Sequence, residues 1–423
     1  MAIAGFSTVV EWYDFTLYLY FATVLSRVFF GGGEGSLATT LAGFAVAYLM
    51  RPLGALFFGH IGDRYGRRRT LLLSVALMSA AMLTIALLPT RDAIGPAAGW
   101  ALLALRCVMG FAVGGEYTGV VAYLLEGARA ERRGLITSLA AAASEVGALL
   151  AVAVSAITVS ALSGADLDAW GWRIPFLVGA GLAVTVWVAR AAMEESPDFE
   201  RQRAQSTIPT HPLRHALTHH RAGIMRGFAI SALGSITYYV GITYVPAFLT
   251  SVGSMAESQS LWLSTIAAVV VIAVTPVVGA LSDQVGRKGV LAGLAVLSAV
   301  LPVTMFSLMA GGASNDALLG AVILAGVAGG VSAVGAVATA EQFAGEGRLT
   351  GLALGATTAT AIFGGLTPWL AQVLIERTGA PIVPGVMIAV VALAVLPVLL
   401  TMPETRPRRT VLHMPPEAAK PRR

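Results

Sequence analysis

Twelve runs of apolar residues follow one another along the chain, each about as long as a bilayer crossing requires. They fall at 6–30, 37–61, 70–89, 97–126, 134–160 and 173–192, then at 222–250, 259–281, 289–310, 316–342, 349–375 and 381–402. Charged or Gly/Pro-rich turns separate them. Glycine and alanine recur throughout the runs and hydropathy does not alternate at every second residue, so the pattern predicts helices rather than barrel strands. Small-residue clusters such as Gly110, Gly114 and Gly115, or Gly326, Gly329 and Gly330, allow helix backbones to approach closely. The charged turn Gly59-His-Ile-Gly-Asp63-Arg64-Tyr-Gly66-Arg67-Arg68-Arg69 follows the second run, and a weaker copy, Gly279 to Lys288, follows the eighth. The offset of the two aspartates, 283 − 63 = 220, is about half the chain. The expected fold is an all-α membrane protein of twelve transmembrane helices in two pseudo-symmetric six-helix bundles, the organisation of many alternating-access transporters. The bundles are 1–192 and 222–402, joined by a cytoplasmic linker at 193–221 and followed by a short cytoplasmic tail at 403–423.

Composition agrees with that pattern. Of 423 residues, 56% are hydrophobic and 12% charged, about half the charged share of an ordinary soluble domain. Such a chain cannot cover itself with a water-facing surface. The net charge of +5 comes from arginines in the turns, with no aromatic-interleaved basic patch, so the partner they imply is the lipid bilayer and not nucleic acid. Arg64, Arg67, Arg68, Arg129, Arg132, Arg133, Arg201, Arg203, Arg287, Lys288 and the tail arginines all lie on one face. The positive-inside rule makes that face cytoplasmic, together with both termini. The first run contains Glu11 and Asp14 and has no basic flank, so it does not read as a cleavable signal peptide. Cys107 is the single cysteine and forms no intrachain disulfide. His211, His215, His219 and His220 crowd the central polar stretch, which reads as linker rather than metal site. No heptads occur in the tail.

Several motifs together resemble the major facilitator superfamily. Gly59-x3-Asp63-Arg64-x-Gly66-Arg67-Arg68 matches its loop 2–3 signature, and Gly279 to Lys288 the loop 8–9 counterpart. More narrowly the chain resembles the metabolite:proton symporter family, which includes carriers of citrate, α-ketoglutarate, shikimate and proline/betaine. That match rests on Glu11-Trp-Tyr-Asp-Phe15, Arg51-Pro-Leu-Gly54, Arg106-x3-Gly110-x3-Gly114-Gly-Glu116, Glu126-x6-Arg133-Gly134 and Trp170-Gly-Trp-Arg-Ile-Pro-Phe176, with Glu195-Ser-Pro197 and Pro403-Glu-Thr405. It is dense in the first half and thin in the second. Ser7-Thr8 and Met109 depart from the family pattern on helices expected to face the cavity. The resemblance implies proton-coupled import of a small metabolite by alternating access.

An ionised side chain at the bilayer centre costs roughly 2.5–3.5 kcal/mol on insertion scales, so each one needs a reason. The first half holds Glu11, Asp14, Arg51, Arg106, Glu116 and Glu145; the second holds almost none between its span ends and offers Tyr238, Tyr239, Tyr244 and hydroxyls instead. At ~1.5 Å per residue, Asp14 lies about 12 Å and Glu145 about 16 Å from the cytoplasmic ends of their helices, and Arg106 about 13 Å from the outer end of its own. Asp14, Glu11 and Glu145 are the candidate proton-coupling groups. Arg106 and Arg51 are candidates to grip a substrate carboxylate, since a guanidinium fork binds carboxylates in bidentate fashion. Tyr18, Tyr238 and Tyr239 are candidate substrate contacts. Asp63, Arg64, Arg67, Arg68, Glu116, Glu126, Arg133, Glu195, Asp283, Arg287 and Glu404 form the candidate gate across the cytoplasmic face. In it Asp63 faces a helix N-terminus, and Arg67, Arg68 and Arg133 pair with Glu126, Glu195 and Glu404.

The expected function is therefore a proton-coupled symporter importing an organic acid such as a di- or tricarboxylate across a bacterial-type inner membrane, as a monomer, with the proton as coupling ion and no cofactor or metal. Alternatives are a carrier for a proline- or betaine-like zwitterion, a proton-coupled exporter, and a non-transporting sensor. A membrane-embedded enzyme finds no support, because no metal-ligand cluster, nucleophile elbow or phosphate-binding loop is present.

Overall fold

Within the described residues every predicted run becomes a helix or a broken helix in the computed structural model, which describes residues 2–65, 67–114, 128–191, 218, 220–343 and 351–406, without the side chains of 2–7, 56, 59–65, 67–71, 189–191 and 353. The first span is Ala2–Tyr20 continued by Ala22–Phe30. The second to sixth are Ser36–Tyr65, Arg67–Ala86, Ala97–Ala112, Arg133–Ala161 and Arg173–Ala191. The seventh is Arg221–Tyr238, a π-helical turn Tyr239–Thr243, and Val245–Ser251. The eighth to tenth are Glu257–Val285, Arg287–Met309 and Ser314–Glu341; the eleventh runs from Ala353 to Thr378 with two π-helical stretches; the twelfth is Val383–Thr401. Eight described helices are long and apolar enough to cross a membrane by themselves, and the seventh, bent by 44°, would make a ninth. The first span is broken at Phe21, and the third and fourth present shorter apolar helices, Leu72–Ala86 and Ala97–Ala112. The polar linker expected at 193–221 and the tail beyond Arg406 lie almost wholly outside the described residues.

The packing is that of a protein whose solvent is lipid. Large apolar side chains point outward, among them Trp100 and Met225 at 72%, Leu87 at 68% and Val277 at 67% exposure. Polar and charged groups are buried instead: Glu11, Asp14, Arg106, Glu145 and Arg287 are each 3% exposed or less. This inverts the ordinary soluble distribution, as a hydrocarbon environment requires.

The six-span bundles meet along two seams, the fifth span on the eighth and the second on the eleventh. Small residues make the close crossings possible. A Cβ on Gly134 would sit 2.5 Å from the Gly279 carbonyl oxygen, across the first seam, and one on Gly365 2.6 Å from Tyr48 Cβ, across the second. Inside the first bundle the glycines of the Arg106-x3-Gly110-x3-Gly114 motif lie on the second span, where a Cβ at Gly110 would meet the Ala47 carbonyl oxygen at 2.0 Å. The motif is thus a backbone-packing surface with one arginine set into it.

Candidate functional site

The basic face of the molecule holds the arginine-rich turns, and the opposite face the rest. A cavity of ≈170 Å³ lies between the halves, reaching from a layer of tyrosines near mid-span toward the basic face. From the first half it is lined by Trp12, Tyr48, Arg51, Ser144 and Glu145. The second half contributes Ser231, Ser235, Tyr238, Tyr239, Ser332, Thr339, Thr357 and Thr360, besides small apolar residues. Both charged groups of the wall, Arg51 and Glu145, come from the first half, whereas aromatic and hydroxyl groups come from both.

Arg51 is the guanidinium of this wall. Its Nη2 donates to Glu11 Oε1 at 2.9 Å and its Nη1 to Tyr48 Oη at 2.7 Å. The Tyr48 and Tyr239 hydroxyls lie 2.8 Å apart, across the boundary between halves. Tyr48 and Arg51 are three apart on one helix and so share a face. Pro52 follows, and its missing N–H leaves the Tyr48 carbonyl without its usual i+4 donor. Tyr239 opens the π-helical turn of the seventh span; such one-residue expansions re-aim side chains and recur at functional sites. Trp12 stands edge-on to Tyr238 with ring centroids 5.5 Å apart, and Tyr238 to Tyr239 at 5.2 Å. Glu145 and Tyr238 are electrostatic neighbours on this wall.

Asp14 and Arg106 form a second centre, buried in the first bundle and not part of the cavity wall. Arg106 Nη1 is 3.9 Å from Asp14 Oδ1, and neither Asp14 oxygen has a hydrogen-bond partner among the described residues. Arg106 stacks 4.6 Å over the Tyr18 ring, and Tyr18 donates to the Thr40 carbonyl at 2.9 Å. Glu11 and Asp14, three apart on one helix, thus reach different arginines on different spans. Phe15 sits between them, its ring centroid 4.6 Å from the Arg51 guanidinium carbon and 5.9 Å from that of Arg106. Of the predicted substrate and proton groups, the structure gathers Arg51, Glu145, Tyr238 and Tyr239 at the cavity and bonds Glu11 to Arg51 Nη2. It holds Asp14, Arg106 and Tyr18 apart. Tyr48, Ser144 and Ser332 line the wall without having been singled out in the sequence.

At the basic face the copy motif is fully described. Asp283, at the end of the eighth span, accepts from the backbone N–H of Gly134 at 2.8 Å and of Leu135 at 2.9 Å, capping the fifth span from across the seam. It also pairs with Arg287 at 2.8 Å, which reaches Glu341 at 3.4 Å. Glu404, expected from sequence to pair within the set Arg67, Arg68 and Arg133, is not on Arg133. Its carboxylate accepts from the N–H groups of Arg287, Lys288 and Arg406 at 2.9, 3.1 and 2.9 Å, because the start of the ninth helix offers free donors close by. Burial alone would raise the Glu404 pKa, but these three donors and the Arg287 charge outweigh it and hold the carboxyl below its ordinary range. Glu116, Glu126 and Glu195 lie outside the described residues, as do the side chains of Asp63, Arg64, Arg67 and Arg68. At the opposite face Arg27 bridges Asp168, 3.1 Å away, and Glu257 of the second half.

Comparison with known proteins covers both halves of the chain. The family model described as "Sugar (and other) transporter" matches residues 1–208, and that of the Major Facilitator Superfamily matches residues 246–421. The chain is 32% identical to the ectoine/proline transporter ProP of Corynebacterium glutamicum, over 89% of this chain and 78% of that one. It is 34% identical to the alpha-ketoglutarate permease of Escherichia coli, over 88% and 86%. With the citrate-proton symporter of Klebsiella pneumoniae identity is 31%, over 89% and 85%. Among solved structures, the proton:xylose symporter XylE superposes with a TM-score of 0.75 at 19% identity, covering 96% of this chain and 95% of that one.

Proposed function

The chain belongs to the major facilitator superfamily and, within it, to the metabolite:proton symporter family, and on that premise we propose that it imports a small carboxylate-bearing metabolite together with protons across a bacterial inner membrane. It is a transporter and not an enzyme. In this reading the basic face and both termini are cytoplasmic, so the cavity faces the cytoplasm; 1–192 and 222–402 rock as two halves about the 193–221 linker. The protein acts as a monomer and needs no cofactor beyond the coupling proton.

One observation carries the reading. The cavity's guanidinium, Arg51, is already held by an internal carboxylate, Glu11. A substrate carboxylate arriving at Arg51 must compete with Glu11. A proton on Glu11 weakens the competitor, because a pair of opposite charges becomes a bond from the charged guanidinium to a neutral carboxyl group. Proton and substrate then bind together and leave together, which is the thermodynamic requirement for symport. Asp14, against Arg106, supplies a second protonatable carboxyl, and Glu145 a third on the cavity wall. Charge neutralisation of any of them lowers the cost of carrying the group through the occluded state. The gradient that drives uptake includes the membrane potential, worth ~2.3 kcal/mol per charge per 100 mV.

The same wall also favours a second reading, transport of a zwitterion. Arg51 shares the cavity wall with Trp12, Tyr238, Tyr239 and Glu145, so a carboxylate on the arginine would put a cationic centre near aromatic rings and a carboxylate, a setting that attracts it. A tricarboxylate finds less matching positive charge there. Uptake into proteoliposomes with an inward proton gradient, offering citrate, α-ketoglutarate, proline and betaine, decides between the two. Gradient-driven accumulation lost in Asp14→Asn, with counterflow exchange kept, assigns coupling to Asp14; unchanged accumulation moves it to Glu11 or Glu145. Failure of the wild type to accumulate any of the four overturns the symport reading for these classes.

A further inference from the structure

Arg51, Tyr48 and Tyr239 form a hydrogen-bonded chain that begins on the second span and ends on the seventh, in the other half of the molecule. Its polarity follows from donor and acceptor chemistry. A guanidinium only donates, so Tyr48 Oη accepts from Arg51. The arrangement in which each phenol oxygen accepts once has Tyr48 donating its own hydrogen to Tyr239. The hydrogen of Tyr239 is then the outgoing end of the chain. No acceptor for it is recorded among the described residues, and Tyr239 lines the cavity. Tyr48 has no freedom to turn away: it is fully buried, its ring packs edge-on to Phe15, Phe44 and Tyr239, and Gly365 of the eleventh span lies against its Cβ.

We propose that Tyr48 is a positioning residue for substrate: it relays the Arg51 charge to the Tyr239 hydroxyl, so that one substrate carboxylate is held by Arg51 of the first half and by Tyr239 of the second. The proposal rests on the transport reading above and specifies how its site is built. One oxygen takes the Nη2 position that Glu11 occupies here; the other accepts from Tyr239. The bound carboxylate then closes a ring of four groups spanning both halves, and occupancy of the arginine is felt on the seventh span through two hydroxyls. Chains of this kind strengthen each member, because every donor is polarised by the one before it. The ring takes two acceptor oxygens and a negative charge, so it selects carboxylates against amides, whose NH2 cannot accept from Tyr239, and against uncharged esters.

The test uses full-length protein in proteoliposomes and whichever of citrate, α-ketoglutarate, proline and betaine the wild type accumulates; that control separates failure of the transport reading from failure of the relay. Tyr48→Phe keeps the ring and removes the hydroxyl. It is expected to raise KM on the order of tenfold, which corresponds to about 1.4 kcal/mol, while the maximal rate changes by less than about twofold. Tyr239→Phe is expected to raise KM by a similar factor, and the double variant by no more than either alone, because both changes break the same chain. A merely structural tyrosine would give additive losses and an unchanged preference for the acid over its amide. A wild-type KM in Tyr48→Phe, or multiplication of the two effects in the double variant, overturns the relay. If Tyr48→Phe does not fold, Tyr239→Phe still decides: a wild-type KM there overturns it equally.

Discussion

Replacing Glu11 by glutamine is the sharpest probe of how proton and substrate are linked. Glu11 and Arg51 are 2.9 Å apart, with side-chain exposures of 3% and 10%, so their interaction is little screened by water. Removing one partner of a buried pair outright is costly, about 3–5 kcal/mol, because it strands a charge. Glutamine is isosteric and keeps a carbonyl acceptor for Arg51 Nη2, so the fold is expected to survive. The loss is the difference between a guanidinium–carboxylate pair and a guanidinium bond to a neutral amide oxygen, about 1–2 kcal/mol. The substrate carboxylate no longer has to displace a rival carboxylate. Its affinity is expected to rise by roughly five- to thirtyfold for that energy difference.

The pH dependence gives the sign. In the proposed coupling, a proton on Glu11 frees Arg51 and raises substrate affinity. In Glu11→Gln that position is neutral at every pH, so affinity is high and flat. The assay is equilibrium binding of the transported compound to purified protein between pH 5 and 8, paired with gradient-driven uptake. Tight, pH-independent binding together with lost accumulation is the expected pair of results. Binding that keeps the wild-type pH slope, with accumulation intact, would refute the competition between Glu11 and substrate.

Three further outcomes follow from the packing and the charged turns. Gly110→Ala puts a Cβ about 2.0 Å from the Ala47 carbonyl oxygen, a backbone clash expected to destabilise by about 1–3 kcal/mol, read as a lower thermal unfolding midpoint in detergent. Arg27→Gln removes the opposite-face bridge between Asp168 and Glu257; for partly exposed pairs worth about 1 kcal/mol the conformational balance should move roughly fivefold toward opening on that face. In a Cys107→Ser background, a cysteine placed at Ser332 in the cavity wall should then react faster with an impermeant thiol reagent added from that side. Glu404 has its folded pKa depressed, so its contribution is present above the ordinary carboxyl pKa and is lost as pH falls through the lower folded value. Wild type should lose unfolding stability over that acid window, and Glu404→Gln should be flatter there.

What could be read in the sequence follows from what the bilayer makes expensive. An apolar run long enough to span is visible without any knowledge of its neighbours, and the helix boundaries followed to within a few residues at most ends. Buried charges were legible for the same reason: Glu11, Arg51, Arg106 and Glu145 stand out because each must be compensated, and the structure compensates the two arginines with Glu11 and Asp14. Pairings were less visible, because they depend on which helix lies alongside. Glu11 and Asp14 share a face by spacing, yet a small rotation between them sends one to the second span and the other to the fourth. Glu404 found backbone donors at a helix start rather than an arginine side chain, a choice decided by proximity in three dimensions. Asp283 does in the second half what was expected of Asp63 in the first, because a carboxylate at the end of one helix satisfies the free N–H groups beginning another. Tyr48 left no signal at all. A tyrosine in an apolar run costs little and is ordinarily packing; it becomes a link in the site only because Arg51 stands one turn away and Tyr239, 191 positions later, comes to rest 2.8 Å from its hydroxyl. Charge announces itself in one dimension, whereas a hydroxyl acquires its role from the company that folding gives it.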